Sequence, residues 1–139
     1  MQNFEVHPAL AKKIFVCDLP LCRILLENNK IFPWIFLVPR VSKVSQINHL
    51  SFADQLKLIG ELNFASNVME ELFPCDRLNV AAIGNKTDQL HIHVICRFTD
   101  DPYWPDTVWQ YLGEKMDDHE ANERLRDLCK AFEGYSPGF

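Results

Sequence analysis

Residues Gln89-Leu90-His91-Ile92-His93-Val94-Ile95 alternate polar and apolar side chains, and that two-residue period is the mark of an extended strand with two unlike faces. Leu90, Ile92 and Val94 share one face, which needs a core. Gln89, His91 and His93 share the other. Two imidazoles and a carboxamide in a row are costly to bury without a use. The chain must therefore fold around a sheet that is apolar on one side and carries two imidazoles on the other.

The remaining segments supply that sheet and its cover. Residues 8–16 are expected to form a short helix with Pro8 in the first turn and Leu10, Ile14 and Phe15 inward. Residues 22–27 and 34–38 read as strands joined through Asn28-Asn29-Lys30, an antiparallel hairpin. Ser51 caps a long helix, with Asp54 three places on, running to about Leu72. Phe52, Leu56, Ile59, Leu62, Met69 and Phe73 are the expected buried stripe of this helix, and core is a better use for it than a cofactor box. Residues 78–83 read as a third strand, 84–88 as a turn-rich loop, 99–105 as an irregular aromatic loop and 120–132 as a last helix with Leu125, Leu128, Cys129 and Phe132 inward. Strand, strand, long helix, strand, strand, helix is an α+β order, an antiparallel sheet with the long helix packed on it.

Length and composition bound the function. A chain of 139 residues, 47% hydrophobic and 24% charged, is expected to be a single domain over 1–139 with one sizeable core. Its net charge of -5 argues against binding a nucleic-acid polymer, which calls for a basic surface, while leaving room for a local phosphate pocket. The N-terminal stretch lacks the apolar centre of a signal peptide, and the apolar run 31–38 is broken by Pro33 and too short to span a bilayer, so no membrane attachment is expected. Five cysteines, an odd number without a CxxC pair, suit reduced thiols in the cytoplasm.

The paired histidines admit three uses. Surface placement is one, but a pair at i, i+2 beside a Gly/Asn loop and Trp104-Pro105 asks for more. A zinc site is another, and it needs a further ligand from Cys17, Cys22, His7, His49 or His119, none of which stands at a telling spacing. The third is nucleophilic catalysis at phosphorus. A neutral imidazole attacks phosphorus and departs readily when water follows, and a second imidazole on the same face can bind a phosphate oxygen or assist the leaving group.

The stretch Gln89 to Ile95 resembles the signature of the histidine triad superfamily, HφHφHφφ with φ apolar, with glutamine in place of the first histidine. The strand ending in Val38-Pro39-Arg40, the Ser51-capped helix, Asn79 about a dozen residues before His91, and Trp104-Pro105 beyond it are arranged as in that family, and the chain looks most like its shortened bacterial HIT-like branch. The resemblance implies an enzyme acting at the α-phosphate of a nucleoside phosphoramidate or dinucleoside polyphosphate, without metal or other cofactor. By the same resemblance His91 forms the covalent nucleotidyl intermediate and His93 contacts phosphate. Asn79, Asn85 and Thr87 bind phosphate or the leaving group, and the chain is a homodimer in which Trp104 approaches the partner's site. Gln89 cannot titrate, but its carboxamide can orient a neighbour. The alternative is a nucleotide-binding module that has lost turnover through this change. The 28–34 segment replaces a longer, acid-bearing stretch of other family members, leaving the ribose pocket unread.

On local grounds Trp34 reads as core rather than a base platform, Asn79 as a strand-end amide, and Asn85 and Thr87 as turn residues. Arg40 and Arg97 read as surface ion-pair partners. Trp104 and Trp109 lie in a proline-bounded loop and need a cover: a ligand, a partner subunit or the domain's own flank.

Overall fold

The structure, a computed structural model, describes residues 3–111 and 113–138. Five strands form one antiparallel sheet: β1 Ile14–Asp18, β2 Cys22–Leu26, β3 Trp34–Pro39, β4 Arg77–Ala81 and β5 Ile92–Arg97, in spatial order β1-β2-β3-β5-β4. Helices α1 Pro8–Ala11, α2 Phe52–Leu72 and α3 Asp118–Phe132 complete it, with a 3-10 turn at Ile47–His49.

The β2–β3 hairpin forms as its composition predicts, and β3, apolar throughout, becomes the buried centre of the sheet. Ser51 caps α2 by accepting from the Asp54 backbone N–H at 3.1 Å. Asp117 and Glu120 form a capping box at α3, satisfying N–H groups that the first turn leaves unpaired. Leu128 and Phe132 of α3 are buried, with Leu125 and Cys129 packed partly against them.

Two cores lie on the two faces. The larger joins α2 and α3 to Cys22, Ile24, Leu26, Ile35, Leu37, Ile92, Val94 and Cys96. The smaller lies on the opposite face, where Leu25, Trp34, Phe36, Val38 and Ile95 meet Leu10 of α1, Phe32 and Val108. The face carrying the histidines is therefore covered, not solvated.

Three expectations are corrected. The helix at 8–16 stops after Ala11, and Ile14 and Phe15 instead begin β1, an edge strand in which Phe15 is 53% exposed. In α2 the inward face is Leu58, Glu61, Ala65, Val68 and Met69, while Phe52, Leu56 and Ile59 are exposed. The regular strand β5 begins at Ile92, three residues later than the alternation suggests, because the Leu90 N–H is taken by Val44 O at 3.0 Å. The alternation of faces nevertheless persists through 90–94: Leu90 lies in the helix-side core with Ile92 and Val94.

Glu61 explains why a carboxylate can sit in that inward face. It is fully buried, and its two oxygens accept the backbone N–H groups of Leu21 and Cys22 at 2.8 Å each, closing the β1–β2 turn onto α2. Among the described residues no helix is long and apolar enough to cross a membrane.

Candidate active site

His93 sits in the antiparallel ladder between Phe36 of β3 and Ala81 of β4. Residues opposed in a ladder point to the same face. The strand register therefore sets His93 between a large ring and a small methyl group. His91 precedes it on the same side, and their ring centroids are 5.0 Å apart. Both are under a tenth exposed.

Each imidazole has a hydrogen-bond partner that fixes where its proton lies. Nδ1 of His91 is 2.7 Å from the carbonyl oxygen of Gln89. A carbonyl only accepts, so Nδ1 carries the hydrogen, and in the neutral ring Nε2 keeps its lone pair. Nδ1 of His93 is 3.1 Å from the indole Nε1 of Trp34. An indole N–H only donates, so here Nδ1 holds the lone pair and the proton of the neutral ring is on Nε2. Neighbouring imidazoles thus take opposite tautomers, one ready to attack and the other ready to donate.

Aromatic rings enclose the pair. Phe36 and Trp109 each have ring centroids 4.9 Å from that of His93, and Trp34 lies at 5.7 Å. Burial first, then the neighbouring His91 and Lys13, push His93 from 6.5 down to about 4, so it stays neutral at physiological pH. Lys13 places its ammonium 5.4 Å from the Phe36 ring centroid and pairs with Glu27 at 2.7 Å.

The side-chain hydrogen bonds of Gln89 run to the N-terminal segment and not to the imidazoles. Its Oε1 accepts the His7 N–H and its Nε2 donates to Glu5 O, both at 2.8 Å. The carboxamide clasps the N-terminal segment to the histidine loop, a two-way bond that uses both its donor and its acceptor. Gly84 supports this loop at φ +68°, a conformation that suits glycine. Asn85 is exposed there and Thr87 half-buried. His91 borders a cavity of about 240 Å³ walled by Ser45, Gln46, Ile47 and Asn48 and by residues 82–84, and neither Asn85 nor Thr87 lines it.

Asn79 is on the imidazole face, opposite Ile95, but its Oδ1 accepts from Arg97 Nη1 at 2.9 Å. Arg97 is 1% exposed and pairs with Asp101 through two contacts of 2.8 and 3.1 Å, so it is a buried anchor and not the surface arginine expected. Its guanidinium lies 5.8 Å from the Trp104 ring, which packs there and not on the histidines. Trp109 takes the position beside His93 instead, and with Asn79 and Ala81 it lines an open cavity of about 430 Å³. Arg40 donates to the Leu19 and Pro20 carbonyls.

The other metal-ligand candidates lie apart. Cys22 is buried and Cys17 partly buried in the helix-side core, across the sheet from the imidazoles. Burial pushes the Cys17 thiol up to about 12 and Cys22 well up from its usual value, which keeps both protonated. His7 caps α1, His49 contacts Ser45 and Gln46, and His119 faces Glu123 on α3. Among the described residues no group of three or more His, Cys, Asp and Glu is arranged to hold a metal ion.

Sequence reading missed Phe36 and Lys13 as site residues, took Trp34 for core, and left the cover of Trp109 open. The Trp34-Ile35-Phe36 alternation held the signal for two of them, once β3 is known to pair with β5. Lys13 had none.

Comparison with known proteins agrees with this fold. The HIT domain model matches residues 10–100. A histidine triad protein of Marinobacter aquaeolei is 36% identical, with a TM-score of 0.91 over 96% of this chain and 98% of that one. Another, from Bradyrhizobium japonicum, is 33% identical, with a TM-score of 0.90 over 94% and 98%. The diadenosine triphosphate hydrolase of Plasmodium falciparum, 20% identical with a TM-score of 0.60 over 90% and 80%, shares the fold. No curated protein matched in sequence. The match runs from α1 through β5, takes in both histidines and extends to bacterial relatives that align over nearly their whole length; the chain belongs to the histidine triad family, among its bacterial HIT-like members.

Proposed function

We propose that this protein is a nucleotide hydrolase or transferase working at the α-phosphate of a nucleoside phosphoramidate or dinucleoside polyphosphate, with His91 as nucleophile. The observation that carries the reading is the Nδ1 contact of His91 with the Gln89 carbonyl, which in the neutral ring leaves Nε2 unprotonated beside a second imidazole whose own Nε2 carries the proton. Nε2 of His91 attacks phosphorus, the bond from phosphorus to the leaving nitrogen or oxygen breaks, and its electron pair leaves with that atom, which is then protonated. Water next attacks phosphorus, the phosphorus–nitrogen bond breaks, a proton is released and His91 recovers its lone pair. His93 donates to a phosphate oxygen and disperses the charge that builds there. No step calls for a metal ion. The diadenosine triphosphate hydrolase with the same fold supports the substrate class.

The site as a whole belongs to a homodimer in this reading. Edge strand β4 exposes Val80, with Ile83 just beyond it, and α2 exposes Phe52, Leu56 and Ile59, apolar surface that a second copy would cover. Asn79, Asn85, Thr87 and a Trp104 from the other copy are the proposed contacts to substrate. Unpaired cysteines among the described residues suit a reducing, cytoplasmic setting.

A second reading is favoured by one observation: the Gln89 carboxamide is committed to residues 5 and 7, so it gives the site no proton relay. The protein would then bind nucleotide without turning it over. Turnover of adenosine 5′-phosphoramidate and of diadenosine tetraphosphate with chelator present, for the unaltered protein and for His91→Ala, separates the two. Activity lost in the variant supports the enzyme; nucleotide binding without activity in either protein supports the binding module.

A further inference from the structure

We propose that Trp34 is a positioning residue that holds His93 in the one neutral tautomer able to donate from Nε2 into the site. Trp34 lies on β3, paired with Ile95, one step diagonal from the Phe36–His93 pair on the same face. That register brings the indole Nε1–H to 3.1 Å from Nδ1 of His93. The indole itself has little freedom: it is 9% exposed and is held between Phe36, at 6.2 Å between centroids, and Trp109, at 5.9 Å. Buried in that position it offers no face to a nucleobase.

The choice of residue follows from its chemistry. A hydroxyl, a carboxamide or another imidazole could accept or donate toward Nδ1, leaving the tautomer open. An indole only donates. Because His93 stays neutral far below pH 7, the tautomer is the only protonic variable left to set. The Gln89 carbonyl does the converse for His91, so two groups of single polarity specify two imidazoles in opposite senses. That His93 then meets a phosphate rests on the proposed function; the tautomer does not.

The test is two-bond proton–nitrogen NMR of the histidine side chains at pH 7 in the unliganded protein, compared with Trp34→Phe. The unaltered protein is expected to show His93 with a protonated Nε2 and an unprotonated Nδ1. Trp34→Phe, which keeps a ring but removes the donor, is expected to give averaged nitrogen shifts for His93 with His91 unchanged. A protonated Nδ1 in the unaltered protein overturns the proposal, whether or not the variant folds. So does an identical His93 pattern in a folded Trp34→Phe. In turnover assays the variant is expected to lose about 10-fold or more in kcat, as when other groups that orient a histidine are removed, with little change in KM. Averaged shifts in Trp34→Phe with no turnover in the unaltered protein would sink the hydrolase reading and leave the role of Trp34 standing.

Discussion

The backbone carbonyl of Gln89 accepts the Nδ1–H of His91 at 2.7 Å, while the carboxamide of the same residue faces away and binds residues 5 and 7. One residue thus contributes its main chain to the chemistry and its side chain to the frame. The glutamine at the first triad position is explained by the frame: two opposed backbone groups need a donor and an acceptor side by side, which a primary amide provides.

Replacing Gln89 by histidine restores three histidines to the motif and removes the paired amide. The expected result is a loss of about 1–3 kcal/mol of stability with no gain in turnover, since the Gln89 carbonyl that orients His91 is retained at position 89 in either protein. Urea titration and amide exchange at residues 5–7 check it. A more active and equally stable Gln89→His would contradict the assignment.

Glu61 is a stability prediction at the opposite side of the sheet. Glu61→Ala strands the N–H groups of Leu21 and Cys22 in the core and is expected to cost about 2–5 kcal/mol. Glu61→Gln keeps one acceptor and is expected to cost less. Denaturant midpoints for the two variants give the order directly.

Asp101 is expected to be equally sensitive. Asp101→Ala leaves the Arg97 guanidinium buried without its carboxylate, a change that typically costs about 3–5 kcal/mol. Burial works to raise the Asp101 carboxyl, but Arg97 and the N–H groups of Phe98 and Tyr103 outweigh it and hold the group below the usual carboxylate range. Its contribution is therefore complete above the unfolded value and is lost as the pH falls through the lower, folded one. Acid unfolding of the unaltered protein should show this loss, and Asp101→Asn should lack it.

His93 gives a second pH signature of its own. The unfolded chain takes up a proton at this residue near 6.5, and the fold resists it down to about 4. Between those values the unfolded chain holds more protons, so this contribution is full above about pH 6.5 and declines as the pH falls toward 4. NMR titration of the His93 ring should show no protonation from pH 7.5 to 5.5. A midpoint near 6.5 would contradict the burial described here.

Much of the architecture is legible in residue order because local rules and tertiary packing agree there. Ser51, Pro39 and the 22–38 hairpin all appear where turn chemistry and alternation place them. Helix α2 shows where they disagree. It carries apolar residues on nearly opposite sides, Phe52, Leu56 and Ile59 on one and Leu58, Ala65, Val68 and Met69 on the other, and the buried side contains Glu61. Periodicity cannot choose between two apolar faces when a carboxylate marks the inner one. At residues 14–18 the inward spacing of Ile14 suited a helix, but pairing with β2 decided for a strand. In the site, the histidines were visible from their shared face. Trp34 was visible only as an apolar strand residue, because its role depends on which strand lies beside β3. Trp109 and Lys13 reach His93 from distant segments, and no local pattern records that approach.

Arg97, gripped by Asp101 and Asn79, and Gln89, gripping residues 5 and 7, stand at the two ends of the histidine stretch. The stretch is strung between two moorings, and the spacing of its imidazoles is a property of the scaffold before any ligand arrives. On the proposed function, nucleotides with tails of different bulk would then meet a fixed chemical centre bordered by the 39%-exposed indole of Trp109. Breadth of substrate choice in such a protein would be tuned at position 109, leaving the reacting atoms where they are.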